Sequence, residues 1–162
     1  MKNKKLIYTI AMLFMLLDQF IKLIIINNMS LHQEIAIIPN FFSLHYLKNT
    51  GAAFSILGNK TFLLIVVSIL CLIVLKNYIR KITRVTPLTI ISLGIMIGGI
   101  IGNLFDRVLY QAVIDYLSFN FFGYNFPVFN LADIGITIGT VLLIIDLIIE
   151  EKEIKRKYQE EV

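Results

Sequence analysis

Two carboxylates, Asp115 and Asp133, lie eighteen residues apart on either side of an aromatic-rich connection that can fold back on itself. Two carboxylates brought together cannot both ionise cheaply, so they share a proton. One member then acts as a base while the other acts as an acid. Such a pair can deprotonate a water for attack on a carbonyl and protonate the leaving amine. Spacing alone does not single this pair out. The sequence has no HExxH helix for a zinc hydrolase. It also has no GxSxG elbow, no Ser–His pairing and no glycine-rich phosphate loop. His32 and His45 lack metal-ligand spacing and read as ordinary loop residues. No metal and no organic cofactor is expected.

The elements that must position these carboxylates are membrane helices and the loops between them, with Asp115 in a connecting loop and Asp133 at the start of the fourth apolar run. The chain has 162 residues, of which 57% are hydrophobic and only 16% charged. Its mean hydropathy is +0.80. A soluble domain carries about 25% charged residues, so a water-soluble globule is excluded and a disordered chain more so. Four apolar runs, at 6–26, 61–79, 87–105 and 131–149, approach the roughly 20 residues a span needs. The first run follows Lys2, Lys4 and Lys5 but lacks a small-residue cleavage pattern, so it reads as an uncleaved helix. One cysteine, Cys71, sits in an apolar run and excludes an internal disulfide. The expected fold is a single membrane all-α domain over 1–162, with four transmembrane helices.

The net charge of +4 reflects topology rather than nucleic-acid binding. Eleven of the fifteen basic residues fall at the N-terminus, between the second and third runs, and in the C-terminal tail. An even number of spans puts these segments on one side, which the positive-inside rule makes cytoplasmic. Both termini are then cytoplasmic, and segments 27–60 and 106–130 face outward. Residues 41–47 are rich in strand formers after the turn signal Pro39-Asn40, predicting a small β-containing segment. Residues 116–129 hold seven Phe and Tyr residues and read as an aromatic flap loop at the membrane surface.

This topology brings polar residues from separate places to one depth. Asp18 and Lys22 lie on one face in the outer half of the first span. Asn49 precedes the second span, Asn103, Asp106 and Arg107 end the third, and Asn130 and Asp133 open the fourth. Charges inside a bilayer are expensive, so a shared depth reads as one site. Taken singly, an intrahelical ion pair is enough to account for Asp18 and Lys22, and interfacial anchoring for Asp106 and Arg107. Asp146, near the inner end of the fourth span, reads as a snorkelling residue. Gly94, Gly98 and Gly102, with Gly99, read as small-residue helix packing.

At these residues the sequence resembles the lipoprotein signal peptidases (signal peptidase II), four-span aspartic peptidases of the bacterial cytoplasmic membrane. The resemblance rests on five ordered segments. They are Asp18-Gln19-Phe20-Ile21-Lys22, residues 49–55 (NTGAAFS), residues 98–107 (GGIIGNLFDR), Val113-Ile114-Asp115-Tyr116, and Phe129-Asn130-Leu131-Ala132-Asp133. It implies that Asp115 and Asp133 are catalytic. It also implies that Asp18, Lys22, Asn49, Gly51, Asn103, Asp106, Arg107, Asn130 and Ala132 bind substrate or support the site. In that reading Asn103 and Asn130 orient the pair, Asn49 and Arg107 hold the substrate backbone, and Asp18 and Lys22 brace the first helix. The implied substrate is a prolipoprotein whose cysteine carries diacylglyceryl, cut just before that cysteine. Membrane lipid is a partner, nucleic acid is not, and a monomer is expected. Two residues depart from the pattern, Tyr116 where Phe is common and Ile134 where Ser is frequent. The competing reading is a small proton-coupled transporter or channel subunit. It requires polar residues through the whole depth, whereas the inner halves of the spans are almost purely apolar.

Overall fold

In the computed structural model, residues 2–51 and 60–160 are described. Ala52, Ala53, Phe54 and Ser55 of the second motif lie outside the described residues. Four helices carry the apolar runs: α1 (Lys2–Asn28), α2 (Thr61–Lys81), α3 (Pro87–Tyr110) and α4 (Leu131–Glu160). All four are long and apolar enough to cross a membrane. They outlast the hydropathic runs because polar residues extend a helix beyond the bilayer without ending it. The consequence matters most for α3, which continues to an αL cap at Gln111. Asp106 and Arg107, expected in an outward segment at 106–130, therefore sit on the last turns of a helix.

Four strands form one antiparallel sheet in the order β1 (Glu34–Ile38), β2 (Phe42–Asn49), β3 (Val113–Phe121) and β4 (Tyr124–Asn125). Pro39-Asn40 makes the turn between β1 and β2, with Asn40 at φ 59°. The expected aromatic flap loop is instead mostly strand. From Leu117 to Phe121 apolar and polar residues alternate, which suits a pleated surface. His45, expected in a loop, lies on β2.

The central helix is α3, which packs along both α1 and α4, while α2 packs chiefly on α3. Lipid supplies no hydrophobic drive between helices, so close backbone approach must hold them. Glycines provide it. A Cβ at Gly98 would meet the Ala11 carbonyl oxygen at 2.6 Å, and one at Gly139 would meet the Ser92 carbonyl oxygen at 2.6 Å.

The end away from the sheet is stapled separately. Thr86 and Thr89 form a capping box that opens α3, with Pro87 in its first turn. Asp146 does not snorkel. It is buried and accepts from Thr86 Oγ1 at 3.0 Å and Thr89 Oγ1 at 2.5 Å, with Arg84 Nη1 at 3.2 Å. Its partners lie far away in sequence, so hydropathy alone could not reveal them.

Candidate active site

Asp115 is placed by β3 and Asp133 by the first turn of α4. In the β2–β3 register Leu47 faces Asp115 and Asn49 faces Val113, so Asn49 stands diagonal to Asp115 on the same face. Asn49 Nδ2 donates to Asp115 Oδ2 at 2.9 Å, and Asn49 Oδ1 accepts from the Gly51 N–H at 2.9 Å. The turn at Gly51 thereby orients the Asn49 amide as a donor toward Asp115.

Asn130 precedes α4 and works on both carboxylates. Asn130 Oδ1 accepts from the Asp133 N–H at 3.0 Å, and Asp133 Oδ2 accepts from the Asn130 N–H at 3.3 Å. This reciprocal pair is a capping box built from Asn and Asp. Asn130 Nδ2 is left to donate to Asp115 Oδ1 at 2.7 Å and Asn103 Oδ1 at 3.1 Å. Asn103 Nδ2 in turn donates to Asp133 Oδ1 at 2.7 Å. The two carboxylates are thus tied into one network through two asparagine amides.

A buried ion cluster underlies that network. Lys22 Nζ meets Asp18 Oδ2 at 2.8 Å and Asp106 Oδ2 at 2.7 Å, and donates to Asn103 Oδ1 at 3.0 Å. Asp18 and Lys22 are therefore more than an intrahelical pair, and Asp106 is more than an interfacial anchor. Asp18 Oδ1 accepts from the Ala132 N–H at 3.0 Å, and Asp106 Oδ2 accepts from the Ile114 N–H at 3.1 Å. Gly102 makes room, since a Cβ there would meet Asp18 Oδ2 at 2.5 Å. Arg107 donates at 3.4 Å to the carbonyls of Asn103 and Gly51. Among the described residues every buried side-chain nitrogen or oxygen has a partner.

Every residue singled out from the sequence for this site falls in or beside one connected cluster. Gln19 belongs to it too and was given no role. Its Nε2 donates to Asp106 Oδ1 at 2.9 Å, and to Asp18 Oδ2 and the Gly102 carbonyl at 3.2 Å each. The available signal was a polar residue adjacent to Asp18 within a span.

The electrostatics follow from depth and charge. Burial pushes the Asp115 carboxyl up to about 7, and the neighbouring Asp133 carboxylate pushes the same way. Hydrogen bonds from Asn49 and Asn130 and the charge of Lys22 pull back without prevailing. An acid that keeps its proton near neutrality is what proton transfer at pH 7 requires.

Both carboxylates open onto a cavity of about 750 Å³ bounded by α2, α3, α4 and the 126–129 segment. Asn49, Asn103, Arg107, Asp115 and Asp133 line its polar end. Val67, Cys71, Ile100, Ile134 and Ile138 make much of the remainder apolar. Such a shape suits an amphiphile with a polar reacting group and hydrocarbon attached.

Fold and site together define a class, a multi-pass membrane enzyme with a polar centre at one end of its helices. A bacterial membrane enzyme solved by the in meso method at 2.3 Å resolution matches with TM-score 0.82 and 34% identity, over 90% of this chain and 88% of its own. A second, solved by the same method at 1.9 Å, matches with TM-score 0.77 and 35% identity, over 86% of this chain and 90% of its own. The family described as signal peptidase (SPase) II matches residues 10–149. The lipoprotein signal peptidase of Symbiobacterium thermophilum is 40% identical over 144 residues, covering 89% of this chain and 95% of that protein. The chain belongs to the signal peptidase II family and is a protease.

Proposed function

We propose that this protein is an aspartic endopeptidase that removes signal peptides from diacylglyceryl-modified prolipoproteins, with Asp115 and Asp133 as its catalytic pair. Family membership carries the prolipoprotein substrate and the membrane setting. The observation that supports the aspartic mechanism is the Asn130 amide. It caps Asp133 and donates to Asp115, so both carboxylates sit in one network at the polar end of the cavity.

In this reading one carboxylate is ionised and takes a proton from a water held between the pair. The hydroxide oxygen bonds to the scissile carbonyl carbon. The protonated partner delivers its proton to the leaving amine as the C–N bond breaks. Asn103 and Asn130 orient the pair. Asn49 also positions Asp115 through its hydrogen bond, and Asn49 and Arg107 both face the polar end of the cavity, where they would hold the substrate backbone. The lipid chains occupy the apolar part of the cavity and leave between α2 and α4 into the bilayer. The distribution of basic residues supports both termini in the cytoplasm and the sheet on the outer face. The residues that hold Asp115 and Asp133 all come from one chain, which supports a monomer. A transporter would need a polar route through the bundle, and family membership does not support that alternative.

The test is cleavage of a lipidated prolipoprotein in detergent, with the unlipidated form as control. Asp115→Asn and Asp133→Asn should each lower the rate by at least about 100-fold at normal protein yield. Retained cleavage in either variant overturns the pair.

A further inference from the structure

The first turn of a helix has backbone N–H groups with no intrahelical acceptor. In α4 a different group takes each of the first three. The Asp133 N–H donates to Asn130 Oδ1 at 3.0 Å. The Ala132 N–H donates to Asp18 Oδ1 of α1 at 3.0 Å. The Leu131 N–H donates to the Tyr116 hydroxyl of β3 at 3.3 Å. The third bond joins the residue after Asp115 to a residue two before Asp133.

Tyr116 is well placed to hold a fixed distance. Its side chain is 3% exposed and packs in a cluster with Ile25, Met29, Tyr46 and Ile114. The backbone reinforces it. The N–H groups of Tyr116 and Leu117 both donate to the Phe129 carbonyl, at 3.0 and 2.8 Å, and the Phe129 N–H returns to Leu117 at 3.1 Å. The phenol extends this short ladder by one side-chain rung, onto the helix itself. Tyr116 does not line the cavity, so it acts through its neighbours and not on substrate.

We propose that the Tyr116 hydroxyl is a positioning group for the reaction, clamping the first turn of α4 to β3 and so setting the separation of Asp115 and Asp133. The proposal rests on the reading of those two aspartates as the catalytic pair.

The bond can be removed from either side. Tyr116→Phe keeps the ring and deletes the acceptor. Leu131→Pro deletes the donor at the first helical position, where proline is favoured, and its ring carbon takes the hydrogen's place against the phenol oxygen, so it breaks the bond and pushes the two elements apart. The measurement is kcat and KM on lipidated prolipoprotein for both variants, their combination, and Asp115→Asn. Each single variant should lower kcat about three- to tenfold, the worth of one hydrogen bond expressed in the transition state, with KM unchanged. The double variant should be no slower than the worse single one, because both remove the same bond. Unchanged kcat in Tyr116→Phe, or losses that multiply in the double variant, overturns the clamp while an inactive Asp115→Asn leaves the catalytic pair standing. Cleavage by Asp115→Asn overturns the pair itself. If Tyr116→Phe fails to fold, Leu131→Pro alone decides, and full kcat in that variant overturns the clamp.

Discussion

Lys22→Met should unfold this protein more readily than any surface charge change, and the structure sets the size of the effect. Lys22 is 1% exposed, and its ammonium meets Asp18 at 2.8 Å, Asp106 at 2.7 Å and Asn103 at 3.0 Å. An ammonium has three donors and no acceptor, so these partners use all of them. Methionine matches the stem but leaves Asp18 and Asp106 with no cation between them. Each carboxylate keeps one backbone donor, from Ala132 and Ile114 respectively, and both share Gln19. Removing one member of a buried ion pair costs about 3–5 kcal/mol. For a chain of this length that corresponds to roughly 6–20 °C in Tm. The assay is heating in detergent, followed by gel filtration to count the folded fraction. The triple variant Lys22→Met/Asp18→Asn/Asp106→Asn removes the stranded charges while its amide oxygens can still accept from Ala132 and Ile114. It should recover at least half the loss. A single variant that melts within about 2 °C of the wild type would refute the reasoning, since the cluster would then carry no net electrostatic stabilisation.

Three further outcomes follow, two from the site and one from the opposite end of the bundle. Log kcat/KM should fall as pH rises through about 7, because burial and the Asp133 charge hold the Asp115 proton until then. An ordinary carboxylate would place that limb near 4. The linked stability has the same sign. The folded state binds the proton more tightly than the unfolded chain, so this contribution is full below about 4 and lost as pH rises through about 7. A profile flat from pH 6 to 9 would contradict the assignment. Asp146→Ala should lower Tm by a few degrees through the hydroxyls of Thr86 and Thr89 and the guanidinium of Arg84. Its kcat should be unchanged, since thirteen helical residues, about 20 Å, separate it from Asp133; a tenfold loss of kcat in folded enzyme would show that the two ends are coupled.

The four apolar helices could be read from composition, and the gathering of Asp18, Lys22, Asn103, Asp115 and Asp133 into one cluster from topology and motif order. What could not be read was decided by contacts between distant residues or by backbone geometry. Asp106 and Arg107 marked the outer end of the third span because hydropathy falls after Phe105, yet the helix runs on to its left-handed cap at Gln111. Asp146 looked like a lone charge at a span end because its three partners lie 57 to 62 residues away in the chain. The aromatic 116–129 segment looked like a flap loop because its ring count outweighs the alternation that makes Leu117 to Phe121 a strand. Tyr116 was visible as one of the ring residues of 116–129 and as a departure from a family pattern, with no indication that its hydroxyl would meet a backbone N–H on another element.

These misreadings share a physical origin that also explains how the site stays ordered. Hydrocarbon faces gain nothing by leaving lipid, so apolar residues in the spans report position in the bilayer and little about partners. Specific geometry must come from close glycine contacts and from polar groups that have no water to bond instead. At the sheet end those polar groups converge on one short stretch. Asp18 from α1, Tyr116 from β3 and Asn103 from α3 all bond within residues 131–133 of α4, and Asn130 caps them. Helix α2 contributes a wall to the cavity and none of the side-chain bonds to residues 131–133. The arrangement separates two demands on a membrane peptidase. The carboxylates sit on a mount held from several sides, while the apolar wall of the cavity comes in part from α2, a helix that packs chiefly on one neighbour.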